Sequence, residues 1–223
     1  MGRRLLRQLW PSLRAVQDQA EPYAAAWHQA NEQALGGSGR LWVVLGDSMS
    51  QGIGAPAYDR GWVGQAHARL AAVGRSYRLI NLSVSGGRIQ DVIDHQLPVL
   101  DQLGLRPDLI TVMIGSNDLV QPGGRRHLLR RLDHLLMQLP HGAVVADIFA
   151  RPNIPPLLAP VLRYRAASRL LHRQAQQRGL KIADMGPAFA LPWTGKLAAD
   201  RFHPNERGYA AIAAAFMAAI TDQ

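Results

Sequence analysis

The chain has 223 residues, of which 48% are hydrophobic and 18% charged, and this composition excludes an intrinsically disordered protein. It contains no cysteine, which excludes disulfides, thiolate catalysis and cysteine-ligated metal sites. The net charge is +9, and all but two of the 25 basic residues are arginines.

Residues 1–38 are predicted to form a basic helical extension ahead of a main domain that spans 39–223. Apolar residues recur between arginines at roughly helical spacing in this extension: Leu5, Leu6, Leu9, Leu13 and Val16. Pro11 and Pro22 are expected to divide it into short helical pieces, and the glycine-rich residues 36–39 predict a flexible hinge.

The basic amphipathic pattern of residues 1–35 raises the hypothesis that they contact an anionic membrane surface. The alternative is that their apolar residues pack on the domain itself. The start of the chain has no signal-peptide core, because Arg7, Pro11 and Arg14 interrupt it. No apolar run approaches eighteen residues, so we expect no transmembrane helix and a cytoplasmic location.

From residue 41, short apolar runs alternate with segments of helical periodicity. The runs predict strands at 41–45, 77–82, 109–114, 143–148 and 180–183. The periodic segments predict helices at 61–73, 88–100, 124–138, 157–178 and 205–219. This alternation indicates an α/β fold: a three-layer α/β/α sandwich around a central parallel sheet of about five strands. In such sheets, ligands bind at the carboxyl ends of the strands.

Four polar clusters follow the predicted strands. They are Gly46-Asp47-Ser48, Asn81-Leu82-Ser83-Val84-Ser85-Gly86, Gly115-Ser116-Asn117-Asp118 and Asp200-Arg201-Phe202-His203-Pro204. Each alone has an ordinary explanation as a turn or a helix cap. Their joint occurrence at one edge of the predicted sheet favours a functional site instead.

In this order the four clusters resemble the sequence blocks of the SGNH hydrolases, also called GDSL-type lipases and esterases. The resemblance covers residues 41–219, and Met49 stands where leucine is common in the first block. It implies the flavodoxin-like fold of that family. It also implies ester chemistry on a small-molecule acyl ester, without a cofactor.

The resemblance assigns Ser48 as the nucleophile and His203 as the base that takes its proton. Asp200, three residues before His203, would hold the other imidazole nitrogen, as in a Ser-His-Asp triad. The oxyanion of the tetrahedral intermediate needs preorganised donors. The family pattern supplies the backbone N–H groups of Ser48 and Gly86 and the side-chain amide of Asn117.

Competing motifs fit less well. The nucleophile elbow of α/β-hydrolases needs a glycine where Ser50 stands. The glycines of 52–57 mimic a dinucleotide fingerprint only faintly, because Pro56 interrupts them and the second strand ends in Asn81 rather than an acid. The other histidines lack metal-ligand spacing, so we expect no metal.

The sequence is compatible with three functions. An esterase is the first. An acyltransferase with a sugar or lipid hydroxyl as acceptor is the second, because nothing in the blocks selects the acceptor. A non-catalytic protein that binds anionic polymers or membranes is the third, from the charge of +9. The basic residues are spread without interleaved aromatics, so no nucleic-acid partner is expected. Residues 149–160 are expected to overhang the site.

Overall fold

The computed structural model describes residues 11–120, 125–148, 161–190 and 193–221. A single parallel sheet in the order β2-β1-β3-β4-β5 lies at its centre. Its strands are β1 (Leu41–Gly46), β2 (Arg78–Asn81), β3 (Leu109–Met113), β4 (Val144–Ala146) and β5 (Lys181–Ala183). The predicted α/β/α fold with about five parallel strands is confirmed.

The helices of the described residues flank this sheet. They are α1 (Pro11–Gln17), α2 (Ala20–Leu35), α3 (Ser48–Gln51), α4 (Trp62–Ala72), α5 (Ile89–Asp91), α6 (Leu97–Gln102), α7 (Ser116–Val120), α8 (Arg125–Gln138), α9 (Val161–Arg178) and α10 (Glu206–Thr221). A 3₁₀ turn covers Tyr58–Arg60, and a π-helical turn at Val92–Gln96 joins α5 to α6. The predicted helix at 88–100 is thus two α-helical pieces joined by a π-helical turn.

Strand β1 explains why both faces of the sheet need a helical layer. Leu41, Val43 and Leu45 point into one core, which α8 and α9 complete. Trp42 and Val44 point into the opposite core, which α4 and α10 complete. Because successive strand residues face opposite sides, a run that is apolar throughout is buried on both.

Helix α2 covers the outer edge of the sheet at β2. Its Trp27 is 4% exposed and belongs to the same core as Trp42. Asn31 binds both backbone groups of Asn81, accepting from its N–H at 2.8 Å and donating to its carbonyl at 2.9 Å. An uncovered edge strand would present unpaired backbone groups, and α2 removes part of that exposure.

Pro22 does not divide the N-terminal segment as predicted, because it lies in the first turn of α2, where a missing N–H costs no helical hydrogen bond. The break falls instead between Gln17 and Ala20. At the glycine-rich residues 36–39, the Arg78 guanidinium donates to the carbonyl of Ala34, just before this segment, and to that of Gly39, at its end.

The division of the chain at residues 38 and 39 stays a prediction. Leu5, Leu6 and Leu9, on which the membrane hypothesis depends, lie outside the described residues. Among the helices that are described, none combines the length and the apolar character needed to cross a bilayer.

Candidate active site

Ser48 begins helix α3, with one residue between it and the end of strand β1. Asp47 caps this helix, and its Oδ1 accepts from the N–H of Met49 at 3.0 Å. The turn needs glycine at residue 46, because a Cβ there would lie 2.4 Å from the carbonyl oxygen of Met113. Ser48 is 7% exposed. Because the strands that follow β1 in the chain, β2 and β3, lie on opposite sides of it, Ser48 sits at the point where the strand order reverses. This is the usual ligand position in such sheets.

His203 lies within hydrogen-bond distance of Ser48. Its Nε2 is 2.9 Å from Ser48 Oγ, and its Nδ1 is 2.6 Å from Asp200 Oδ2. The other carboxylate oxygen of Asp200 accepts from the backbone N–H groups of Phe202 and His203. With Nδ1–H donating to Asp200, Nε2 has a lone pair that accepts from the Ser48 hydroxyl.

The pKa of Asp200 lies below the ordinary value of an aspartate carboxyl. Burial raises it, but the hydrogen bond and charge of His203, together with the backbone N–H groups of Phe202 and His203, lower it by more. The side chains of Asp200 and His203 are 6% and 14% exposed. The carboxylate is thus kept ionised beside the imidazole, which it orients and whose cationic form it stabilises.

The predicted oxyanion residues follow β2 and β3 on the same edge of the sheet. Gly86 has φ of +80°, which favours glycine, and no atom would lie within 4 Å of a Cβ there. The Asn117 amide donates to the carbonyl of Gly87 at 2.8 Å and lies 3.5 Å from Asp47 Oδ2. Asn117 therefore touches both the glycine turn and the turn that carries Ser48.

A carboxylate beside Asn117 joins two of these loops. Asp118 Oδ2 accepts from the N–H of Ile89 at 3.1 Å, and Oδ1 lies 4.0 Å from Arg131. Burial raises the pKa of Asp118, and the Ile89 N–H, Arg131 and Arg88 offset this only in part. We assign Asp118 to holding the loops together rather than to the reaction.

Three glutamines that the sequence patterns did not indicate bind the turns and loops of the site. Gln96, in the π-helical turn, binds both the N–H and the carbonyl of Gly46 with its amide, at 2.8 and 2.9 Å. Gln51 donates to the Ser83 carbonyl and accepts from the Ser85 hydroxyl. Gln19, just before α2, binds the loop that follows α3. On a helix, such amides carry no sequence signal that separates them from surface residues.

Two further expectations concern what surrounds the site. The described ranges contain no group of three or more histidine, aspartate or glutamate side chains that could hold a metal ion. Residues 149–160, expected to overhang the site, lie outside the described residues.

Known proteins that are similar to this chain identify its family. The sequence profile of the GDSL-like Lipase/Acylhydrolase family matches residues 44–211. The esterase TesA of Pseudomonas aeruginosa is 29% identical over 164 residues, which cover 73% of this chain and 78% of TesA.

Solved structures share the fold. The crystal structure of TesA has a TM-score of 0.68 at 22% identity, covering 82% of this chain and 98% of the other. LAE5, described as an alpha/beta hydrolase enzyme from the metagenome of Lake Arreo, Spain, has a TM-score of 0.65 at 27% identity, covering 84% and 97%. Axe2, an acetylxylan esterase from Geobacillus stearothermophilus, has a TM-score of 0.67 at 22% identity, covering 84% and 96%.

The profile match extends from within β1 to within α10 and includes all four polar clusters. The resemblance noted from the sequence is thereby confirmed. This chain belongs to the GDSL-like lipase and acylhydrolase family and is a hydrolase that acts on ester bonds.

Proposed function

We propose that the chain is a serine esterase in which Ser48, His203 and Asp200 act as a catalytic triad. Two contacts carry the proposal: Ser48 Oγ to His203 Nε2 at 2.9 Å, and His203 Nδ1 to Asp200 Oδ2 at 2.6 Å. A serine hydroxyl becomes an effective nucleophile when an adjacent base removes its proton during attack, and these distances suit that transfer.

In the first half-reaction, Ser48 Oγ bonds to the acyl carbon of a small-molecule ester while its proton passes to His203 Nε2. The carbonyl oxygen becomes an oxyanion that accepts from the N–H groups of Ser48 and Gly86 and from the Asn117 amide. When the intermediate collapses, the bond to the alcohol oxygen breaks and His203 returns the proton to it. Water then repeats these steps on the acyl-serine and releases the acid.

The buried carboxylate of Asp200 supports the proton transfers. His203 becomes a cation in each intermediate, and Asp200 stabilises that charge through its hydrogen bond to Nδ1. Its lowered pKa keeps it ionised through the neutral range.

The test is the single substitution Ser48→Ala, with Ser50→Ala as the matched control two residues along the same buried helix. Hydrolysis of p-nitrophenyl esters from C2 to C16 and covalent labelling by a fluorophosphonate probe are measured for both. We expect Ser48→Ala to lose both activities and Ser50→Ala to retain them. Turnover by Ser48→Ala within tenfold of the wild type, once contaminants are excluded, contradicts the proposal.

The same assay distinguishes water from an alcohol as the acyl acceptor. With an added alcohol at millimolar concentration, we expect the free acid as the main product. An ester of the added alcohol as the main product would assign the triad to acyl transfer instead.

A further inference from the structure

The loop of residues 52–55 contacts both Ser48 and His203. The N–H of Ile53 donates to the carbonyl of Ser48 at 3.0 Å. Gly54 packs so closely on the other side that a Cβ there would lie 2.9 Å from His203 Cβ and 2.5 Å from the carbonyl oxygen of Pro204. Since this loop touches both residues, a shift of its backbone changes the distance between the serine hydroxyl and the imidazole.

Two side chains at the start of helix α2 hold this loop from outside the matched family region. The amide of Gln19 accepts from the N–H of Gly54 at 2.7 Å and donates to the carbonyl of Ala55 at 3.1 Å. The Tyr23 hydroxyl donates to the same Ala55 carbonyl at 2.8 Å. Gln19 occupies the N-cap position of α2 but makes no capping bond with its side chain, which is committed to the loop.

These contacts continue along one face of α2. Trp27 Nε1 donates to the carbonyl of Gln51 at 3.1 Å, and Asn31 binds the backbone of Asn81. The four residues recur at every fourth position, so they occupy a sector of roughly 120° on the helix. All four bind backbone groups, at positions that follow Ser48 or end β2.

Docking of α2 through its apolar residues alone would not require this stripe, because burial is non-directional. Hydrogen bonds to backbone groups fix position as well as supplying free energy. The bonds of Asn31 act at the sheet edge, far along the chain from the loop. Those of Gln19 and Tyr23 act on the loop that abuts His203.

We propose that helix α2 is a positioning element of the active site, in which Gln19 and Tyr23 hold residues 52–55 and thereby hold His203 at its distance from Ser48. The inference rests on the proposed function of Ser48 and His203. Gln19 and Tyr23 touch no reacting atom, so they are positioning residues and not catalytic ones.

The test compares Gln19→Ala with Gln29→Ala, a glutamine that is exposed on the opposite side of the same helix. At a temperature well below each melting point, we expect Gln19→Ala to lower kcat about tenfold and to change KM less than twofold. A misplaced catalytic pair loses rate without losing ground-state binding. The rate of fluorophosphonate labelling should fall by the same factor, because it depends on the same nucleophile. Gln29→Ala should match the wild type in both.

Two more variants keep the outcome interpretable. Tyr23→Phe removes only the phenol bond to Ala55, so it should fold normally and lose a smaller factor in kcat and labelling rate. Asn31→Ala should lower the melting temperature and reduce kcat by less than Gln19→Ala does, because Asn31 binds the backbone of Asn81 and reaches helix α3 indirectly, through the Asn81 amide that donates to the Ser50 carbonyl at 2.9 Å.

The inference is wrong if Gln19→Ala and Tyr23→Phe lower only the melting temperature and label at the wild-type rate. A failure of the proposed function is distinguishable, because the wild type would then remain unlabelled or Ser48→Ala would still be labelled. If Gln19→Ala does not fold, Tyr23→Phe decides the matter alone.

Discussion

Asn117 provides a quantitative test of the oxyanion assignment. Its amide donates to the Gly87 carbonyl at 2.8 Å. The 3.5 Å separation from Asp47 Oδ2 is too long for a hydrogen bond that contributes much to stability. Asn117→Ala therefore loses one ordinary hydrogen bond, about 1 kcal/mol, or roughly 2–4 °C in Tm for a domain of this size. Loss of one oxyanion donor should in addition reduce kcat by about 10²–10³, with little change in KM.

Ser116→Ala is the matched control. The Ser116 hydroxyl donates to the Asp47 carboxylate at 2.8 Å, and bonds to charged groups contribute about 1.5–3 kcal/mol. Ser116→Ala should be destabilised at least as much as Asn117→Ala, but it keeps the side-chain amide of Asn117. Steady-state kinetics and thermal melts on both variants separate the two effects. We expect kcat of Ser116→Ala to stay within about fivefold of the wild type.

Two results would refute the reasoning. Near-normal kcat in a destabilised Asn117→Ala would mean that the side chain only holds the glycine turn. Equal losses of kcat in both variants would mean that activity follows the order of the loops and not the donor.

The other predictions concern stability and close packing. The pKa of Asp200 is lowered in the folded chain, so its stabilising contribution is fully present above the unfolded pKa of about 3.9 and is lost as pH falls through the folded pKa. Between pH 5 and pH 2, the urea midpoint of Asp200→Asn should therefore fall less than that of the wild type. An equal fall of the urea midpoint in both proteins would contradict this prediction. The buried hydroxyl of Ser50 is unpartnered within the described part of the chain, so Ser50→Ala should leave stability unchanged or raise it by up to about 1 kcal/mol in urea titrations. A decrease in stability of more than about 1 kcal/mol would show that the hydroxyl has a partner. Gly54→Ala should lower the free energy of unfolding by at least about 2 kcal/mol and reduce kcat, because a Cβ there would clash with His203. Gly39 has a nearly equal φ and open space around it, so Gly39→Ala should show the backbone strain alone, about 1–2 kcal/mol. Equal losses of stability in both variants would contradict the argument from close packing.

The strands and the polar clusters could be predicted because their signals are local. A strand buried on both faces reads as a continuous apolar run, as Leu41 to Leu45 does, and polar residues directly after such runs stand out. Because parallel strands present their carboxyl ends at one edge of the sheet, the sequence alone predicts that Ser48 and Asn117 lie at the same edge. The position of His203 at the site was predicted from the family resemblance, because no strand ends immediately before it.

The supports of the site could not be predicted in this way. Gln19 and Gln96 bind backbone groups, and every residue offers the same backbone groups, so nothing in the partner segment identifies the contact. The π-helical turn that orients Gln96 likewise leaves the periodicity of the segment helical. Proline breaks a helix only beyond its first turn, so the effect of Pro22 depends on where the helix starts, which the sequence does not specify.

The pairing of Ser48 with His203 joins residues that are 155 positions apart. A contact of such high sequence separation forms only after the intervening strands have found their order in the sheet, since loop closure must be compensated by the packing it permits. In the proposed mechanism, the reactivity of Ser48 is therefore a property of the completed chain and not of any segment. During refolding, fluorophosphonate labelling should appear with the last step of assembly, later than the circular dichroism signal of the helices. Labelling of this hydrolase would therefore measure complete folding.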